Sequence, residues 1–178
     1  MPGLSTSDHG VSPPRVSIPR DFNAAHDLIE RNLQANRAGK VAFIDDQGPY
    51  TYGELAGRVN RWANALTGLG LDMDQRVLLC LLDTIDFPTA FLGSIKAGIV
   101  PIAANTLLTA VDYEFMLKDS RARALVVSEA LLPVFAPLLG KNPTLKHVIV
   151  SGKNAGGHLA FSELLAQYNT QEDAKIKS

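Results

Sequence analysis

Asp83, Thr84 and Asp86 stand directly after the apolar run Val77-Leu78-Leu79-Cys80-Leu81-Leu82 and gather two carboxylates and a hydroxyl. Beyond the C-terminal end of a strand in an open α/β sheet, such groups hold ligands. The same residue types also cap helices, and Asp86 or Thr84 capping the helix that follows is the reading their chemistry favours. Gly68-Leu69-Gly70 lacks a third glycine and follows a helical stretch instead of a strand, so it is helix-stop chemistry and not a dinucleotide loop. No GxxxxGK[ST] phosphate loop occurs. Gly156-Gly157-His158 could turn backbone N–H groups toward an anion. Lys153 and His158 are the only basic residues there, however, and no capped helix start follows at once, so a surface loop accounts for it. His9, His26, His147 and His158 share no metal-ligand spacing. Leu92-Gly93-Ser94-Ile95-Lys96 lacks the second glycine of a nucleophile elbow and falls inside a helical pattern, which makes Ser94 a packing residue. Cys80 lies within its apolar run as a small hydrophobe, away from the electropositive settings of reactive thiols. These residues assign no catalytic, cofactor-binding or metal-ligating position.

The elements around these residues follow from periodicity. Leu28, Ile29 and Leu33 recur at helical spacing behind Asn23, a cap, with Gly39 closing the segment. Val41 to Ile44 and Tyr50-Thr51 flank the turn formers Asp45-Asp46-Gln47-Gly48-Pro49, which predicts a hairpin. Thr51 and Glu54 have capping-box spacing. The helix they start carries Leu55, Val59, Trp62, Leu66 and Leu69 on one side, with Arg58, Arg61, Asn64 and Thr67 on the other, and stops at Gly70. Val77 to Leu82 is apolar without alternation, as a strand buried on both faces should be. A helix from about Asp86 to Ala97 follows, with Gly98 past its end. The cycle then repeats: strand Ile99–Ala103, helix Asp112–Lys118 capped by Thr109 and carrying Phe115 and Leu117, strand Ala124–Val127, helix Leu131–Leu139, strand His147–Val150 and helix Phe161–Tyr168. Such alternation implies right-handed crossovers and an α/β fold, a mostly parallel sheet with helices on both faces.

The chain divides into a flexible Ser- and Pro-rich arm over 1–20, one α/β unit over 21–168 and a frayed polar tail over 169–178. Its 178 residues are 46% hydrophobic and 20% charged, globular usage that excludes a disordered chain. A net charge of −1 without a Lys/Arg cluster argues against nucleic acid as partner. One cysteine excludes a disulfide framework. No stretch nears the roughly 20 apolar residues that span a bilayer, and the start shows no leader, so the expected location is cytoplasmic, without a membrane partner.

Two segments carry a family resemblance. Tyr50-Thr51-Tyr52-Gly53-Glu54-Leu55 resembles the [LY]-[TS]-Y-x-E-L motif near the start of adenylate-forming enzymes, and Ser94-Ile95-Lys96-Ala97-Gly98-Ile99-Val100-Pro101-Ile102 resembles their KAGxxxVPL-type motif, at the expected distance. LLDTIDFPTAFLGSIKAGIVPIAANTLLT with YEFMLKDSRARALVVSE is most similar to the benzoate-CoA ligase group, and the likeness covers roughly residues 22 to 168. The resemblance implies an N-terminal subdomain of an acyl- or aryl-CoA ligase. Such an enzyme uses ATP, Mg²⁺ and CoA to convert an aromatic carboxylate, through an acyl-adenylate, to its CoA thioester, AMP and pyrophosphate. The family's Ser/Thr/Gly-rich phosphate loop, ribose-binding aspartate and C-terminal-domain lysine have no counterpart here, and Asn105-Thr106-Leu107-Leu108 stands where relatives carry an arginine for CoA. The resemblance therefore implies that the chain alone is inactive, binds no cofactor by itself and has the remainder of the ligase as its partner. A stand-alone interaction module, with self-association through exposed apolar faces, is the alternative. A ligase for another acid is a second one. A flavodoxin-like binding protein shares the alternation but would need a phosphate loop after its first parallel strand.

Overall fold

A computed structural model describes residues 2–168. The central feature is a five-stranded, all-parallel sheet built from β5 (Arg76–Cys80), β6 (Val100–Ala103), β7 (Ala124–Ser128), β8 (His147–Ser151) and β9 (Leu159–Ala160), in the order β6-β5-β7-β8-β9. Ahead of it come the hairpins β1–β2 (Thr6–Asp8, Arg15–Ser17) and β3–β4 (Val41–Asp45, Gly48–Thr51). The helices are α1 (Ala24–Gln34), α2 (Tyr52–Gly68), α3 (Asp86–Lys96), α4 (Ala110–Ser120), α5 (Leu132–Phe135) and α6 (Phe161–Gln167).

Because successive side chains of a strand point to opposite faces, β5 serves two cores at once. Val77 and Leu79 face a layer of α2, α3 and α6, where Trp62, Leu66, Ala90, Phe161 and Leu165 pack. Leu78 and Cys80 face α4 and α5, meeting Tyr113, Leu117 and Phe135. All five of these helices therefore cover the sheet, as the unalternated apolar runs require. The Trp62 ring stacks on Phe161 at 4.4 Å, and its Nε1–H donates to the buried Ser94 Oγ at 3.3 Å. Ser94 is thus a packing residue, as its position in the sequence indicates. A third cluster joins Ile29 of α1 to Leu55, Val59 and Ile85.

Local signals set several element ends as expected. The Thr51 Oγ1 accepts from the Glu54 N–H at 3.2 Å while Glu54 Oε2 accepts from the Thr51 N–H at 2.7 Å, closing the capping box. Asn23 Oδ1 accepts from the His26 N–H at the start of α1. Gly70 and Gly98 end α2 and α3 at φ +80° and +74°, where a side chain would be strained.

Other expectations need correction. The expected loose arm carries the β1–β2 hairpin, tied down where the Ser5 N–H donates to Asp27 Oδ1 at 2.7 Å and Arg31 donates to the Ser5 carbonyl at 2.6 Å. Helix α1 ends at Gln34, with Asn36 at φ 57° making the left-handed turn assigned from sequence to Gly39. The helix expected over 131–139 is one α-helical turn between two 3₁₀ turns, 129–131 and 136–138, because Pro133 and Pro137 remove amide donors. Phe115, expected to anchor α4, is 66% exposed, whereas Leu117 is buried. The expected frayed tail, 169–178, lies outside the described residues.

Candidate functional site

In this strand order β6 lies on one side of β5 and β7 on the other, so the connections change side there, and open sheets place ligands outside the strand ends at such a switch point. Two hollows open there. One, of about 680 Å³, lies between the β3–β4 hairpin, α2, α6 and the residues after β5 and β8. A shallower one of about 370 Å³ sits over the strand ends, lined by Leu82, Thr84, Ser128, Glu129, Ser151 and Gly152. The crevice between the two strands is bridged by Ser128, whose Oγ accepts from the Leu82 N–H at 2.9 Å.

Asp86 is the centre of the larger cleft. One carboxylate oxygen pairs with Arg58 Nη2 and the other accepts from Ser151 Oγ at 2.7 Å. Arg58 Nε donates to Thr89 Oγ1 at 3.0 Å, and its guanidinium lies 5.9 Å from the Tyr50 ring centroid. One charged group on α2, one at the first turn of α3 and one hydroxyl at the end of β8 are so held together from 28 and 65 residues apart. Neither Asp86 nor Thr84 caps α3 with its side chain. Instead Asp45 reaches over from the hairpin, its Oδ2 accepting from the Ile85 N–H at 2.9 Å. That bond, followed by one from the Gln47 N–H, holds the half-buried Asp45 carboxyl below its ordinary value. Burial, then the neighbouring Asp45 carboxylate, pushes the Tyr50 hydroxyl up.

The structure brings Asp86 and Thr84 to the cleft, as the strand-end argument expects, and leaves Asp83 in a small apolar hollow with Phe43, Ile44 and Phe87. Lys153 also lines the cleft, but its loop is braced by a carboxylate: Glu129 Oε2 accepts from the Lys153 and Asn154 N–H groups at 2.8 and 3.1 Å. Sequence reasoning missed Arg58, Arg61 and Ser151. It set the two arginines on the outward side of α2, yet the hairpin and α6 rise beside that side and make it a cleft wall. The available signal was their spacing of three residues directly after the first motif.

Chemically the arrangement is a binding cleft. Asp45 and Asp86 are already engaged by N–H and O–H donors, the carboxylate that accepts from Ser151 is also paired with Arg58, and among the described residues no three His, Cys, Asp or Glu side chains group as a metal centre requires. Cys80 is buried against Tyr113, and burial raises its thiol pKa. Among the described residues no helix is long and apolar enough to cross a membrane.

The sequence and fold match proteins of known activity. Over 172 residues the chain is 58% identical to a benzoate–CoA ligase of Thauera aromatica, covering 96% of this chain and 32% of that protein. It is 44% identical over 147 residues to a 4-hydroxybenzoate–CoA/benzoate–CoA ligase of Rhodopseudomonas palustris, covering 83% of this chain and 27% of the relative. A solved benzoate CoA ligase from Burkholderia xenovorans LB400 superposes with a TM-score of 0.78 at 42% identity, over 88% of this chain and 30% of that one. An anthranilate CoA ligase in complex with anthranoyl-AMP gives 0.81 at 35% identity, over 90% and 30%. The chain thus spans about a third of the length of the curated relatives it matches. With the family model of AMP-binding enzymes matching residues 29–176, the chain belongs to that family.

Proposed function

We propose that the chain is the N-terminal subdomain of an ATP-dependent, AMP-forming aryl-acid CoA ligase whose acid is benzoate or a close analogue. The observation that carries this reading is the 58% identity sustained along 96% of the chain. The subdomain runs over 21–168, with 1–20 as an arm in front. ATP, Mg²⁺ and CoA belong to the intact enzyme, the remaining polypeptide is the partner, and the location is cytoplasmic.

The residues present do not fit an ATP–Mg²⁺ site by themselves. Asp45 and Asp86 are occupied by protein donors, which leaves Asp46 as a single cleft carboxylate, and no glycine-rich run of backbone N–H groups faces the cleft. No chemical step is assigned to this chain. Its contribution is a rigid α/β wall, whose two motifs act as a helix start at Thr51–Glu54 and a helix–glycine–strand junction at Gly98.

Two assays test the reading. The full coding region, expressed and supplied with benzoate, ATP, Mg²⁺ and CoA, forms benzoyl-CoA, and no thioester from any aryl acid would refute it. The isolated chain with benzoate, ATP and Mg²⁺ releases no pyrophosphate above background, and turnover would refute the assignment of no site residues. A second reading, an interaction module that self-associates, is favoured by the stripe Leu107, Val111 and Phe115, 88%, 75% and 66% exposed at intervals of four residues. Light scattering decides it, since a monomer at high concentration excludes self-association.

A further inference from the structure

The outward side of α2 carries two arginines three residues apart in opposite circumstances. Arg58 donates to Asp86 and Thr89 and lies over the Tyr50 ring. Arg61 is partly buried, its Nε is shielded from solvent, and no described residue accepts from that N–H. A charged donor withheld from water without an acceptor is a costly arrangement. The guanidinium fork matches a carboxylate in a planar, two-point contact.

Arg61 lines both the large cleft and a neighbouring hollow beside Tyr50, Glu54 and Gly57. None of the nearby carboxylates is positioned to serve it. Asp86 is committed to Arg58 and Ser151, Asp45 to the Ile85 and Gln47 amides, and Glu54 to the Thr51 cap, while Asp46, which also lines the cleft, forms no ion pair with Arg61. The acceptor therefore comes from beyond the described fold. Ser162, Leu165 and Ala166 of α6, the last described helix, form one wall of the cleft, so the described residues end beside it. The matched relatives extend to about three times this length.

We propose that Arg61 anchors an interdomain socket, receiving an Asp or Glu side chain from the polypeptide that completes the ligase. This rests on the ligase reading above. In the isolated chain, Arg61→Met keeps the aliphatic stem, removes the unmatched donors and raises Tm by about 2–4 °C. A lowered Tm overturns the proposal, because Arg61 would then already be satisfied within the chain. Joining these 178 residues to the remainder of the Thauera aromatica benzoate–CoA ligase gives a full-length chimera. Modification by phenylglyoxal, read by peptide mass spectrometry, is about tenfold slower at Arg61 in the chimera than in the isolated chain, as a pairing of about 1.4 kcal/mol requires. The exposed Arg121, at the opposite end of the sheet, reacts equally in both. Equal rates at Arg61 overturn the proposal. So does protection of the isolated chain by millimolar phosphate or benzoate, which would assign the socket to a soluble anion. Thioester formation by the chimera is scored separately: an inactive chimera with Arg61 protected supports the socket and counts against the ligase reading, and an active one with Arg61 unprotected does the reverse.

Discussion

Asp86→Ala removes three contacts whose sizes the structure bounds. The Asp86 and Arg58 side chains are 21% and 20% exposed. Their pairing therefore lies between that of exposed ion pairs, worth about 0–1 kcal/mol, and buried ones, whose disruption costs about 3–5 kcal/mol; we take about 1.5–2 kcal/mol. Ser151, 2.7 Å from the second carboxylate oxygen, loses a charged acceptor worth about 1.5 kcal/mol. A negative charge in the first turn of α3 contributes about 0.5 kcal/mol through the helix dipole. The expected loss is about 3.5–4 kcal/mol, a large share of the stability of a domain this size. Urea unfolding followed by fluorescence of the single tryptophan, Trp62, measures it, since that ring is buried in the α2–α6 layer. A double-mutant cycle with Arg58→Met isolates the pair, with an expected coupling of about 1.5–2 kcal/mol. A coupling below about 0.5 kcal/mol at an unchanged denaturant slope would show that the pair contributes no more than a surface contact, and the account of the cleft as a rigid wall would fail.

Other perturbations have equally definite signs. The Thr51 N–H holds the Glu54 carboxyl below its ordinary value, and the Thr109 hydroxyl does the same for Asp112. Each native pKa is depressed, so the stabilisation is complete above the ordinary carboxylate value and drains as pH falls through the native one. Glu54→Gln with Asp112→Asn should accordingly flatten the decline of Tm on acidification below pH 4.5, and an unaltered slope refutes this. Gly93→Ala, which would stabilise an open helix, places a Cβ 2.7 Å from Trp62 Cδ1 and 2.9 Å from the Val59 carbonyl oxygen, so it should destabilise by about 1–3 kcal/mol in the same urea assay. Cys80 should ignore a thiol-titrating disulfide reagent in the native chain and react at once in urea, since burial keeps it a neutral thiol.

Much of this architecture was legible because its causes are local. A capping box spans four residues, a left-handed glycine marks its own turn, and an apolar run announces a strand covered on both sides. These signals located α2, α3 and all the parallel strands except β9, a two-residue piece inside a loop. What escaped depends on distant partners. The β1 and β2 strands are three exposed residues each, without an apolar face to read, and Asp27 and Arg31 of α1 tether them. The start of α3 looked self-capped, yet its cap is Asp45, forty residues earlier. Arg58 and Arg61 satisfied the polar half of an amphipathic pattern, and nothing in that pattern tells open water from a cleft. The family likeness, by contrast, rested on two short motifs, and the comparisons bear it out.

Apart from β8 and β9, whose partners are ten residues apart, the main sheet joins strands more than twenty residues apart: Val77 lies beside both Pro101 and Ala124, and Ala124 beside His147. No pair in it can close as a hairpin. At synthesis rates of about 5–20 residues per second, β5 emerges about 2–10 s before its β7 neighbour is made. During that interval Val77 to Cys80, destined to be covered on both faces, is bare on the nascent chain. Residence on a chaperone would cover β5 over that interval, and fast translation between residues 80 and 124 would shorten it.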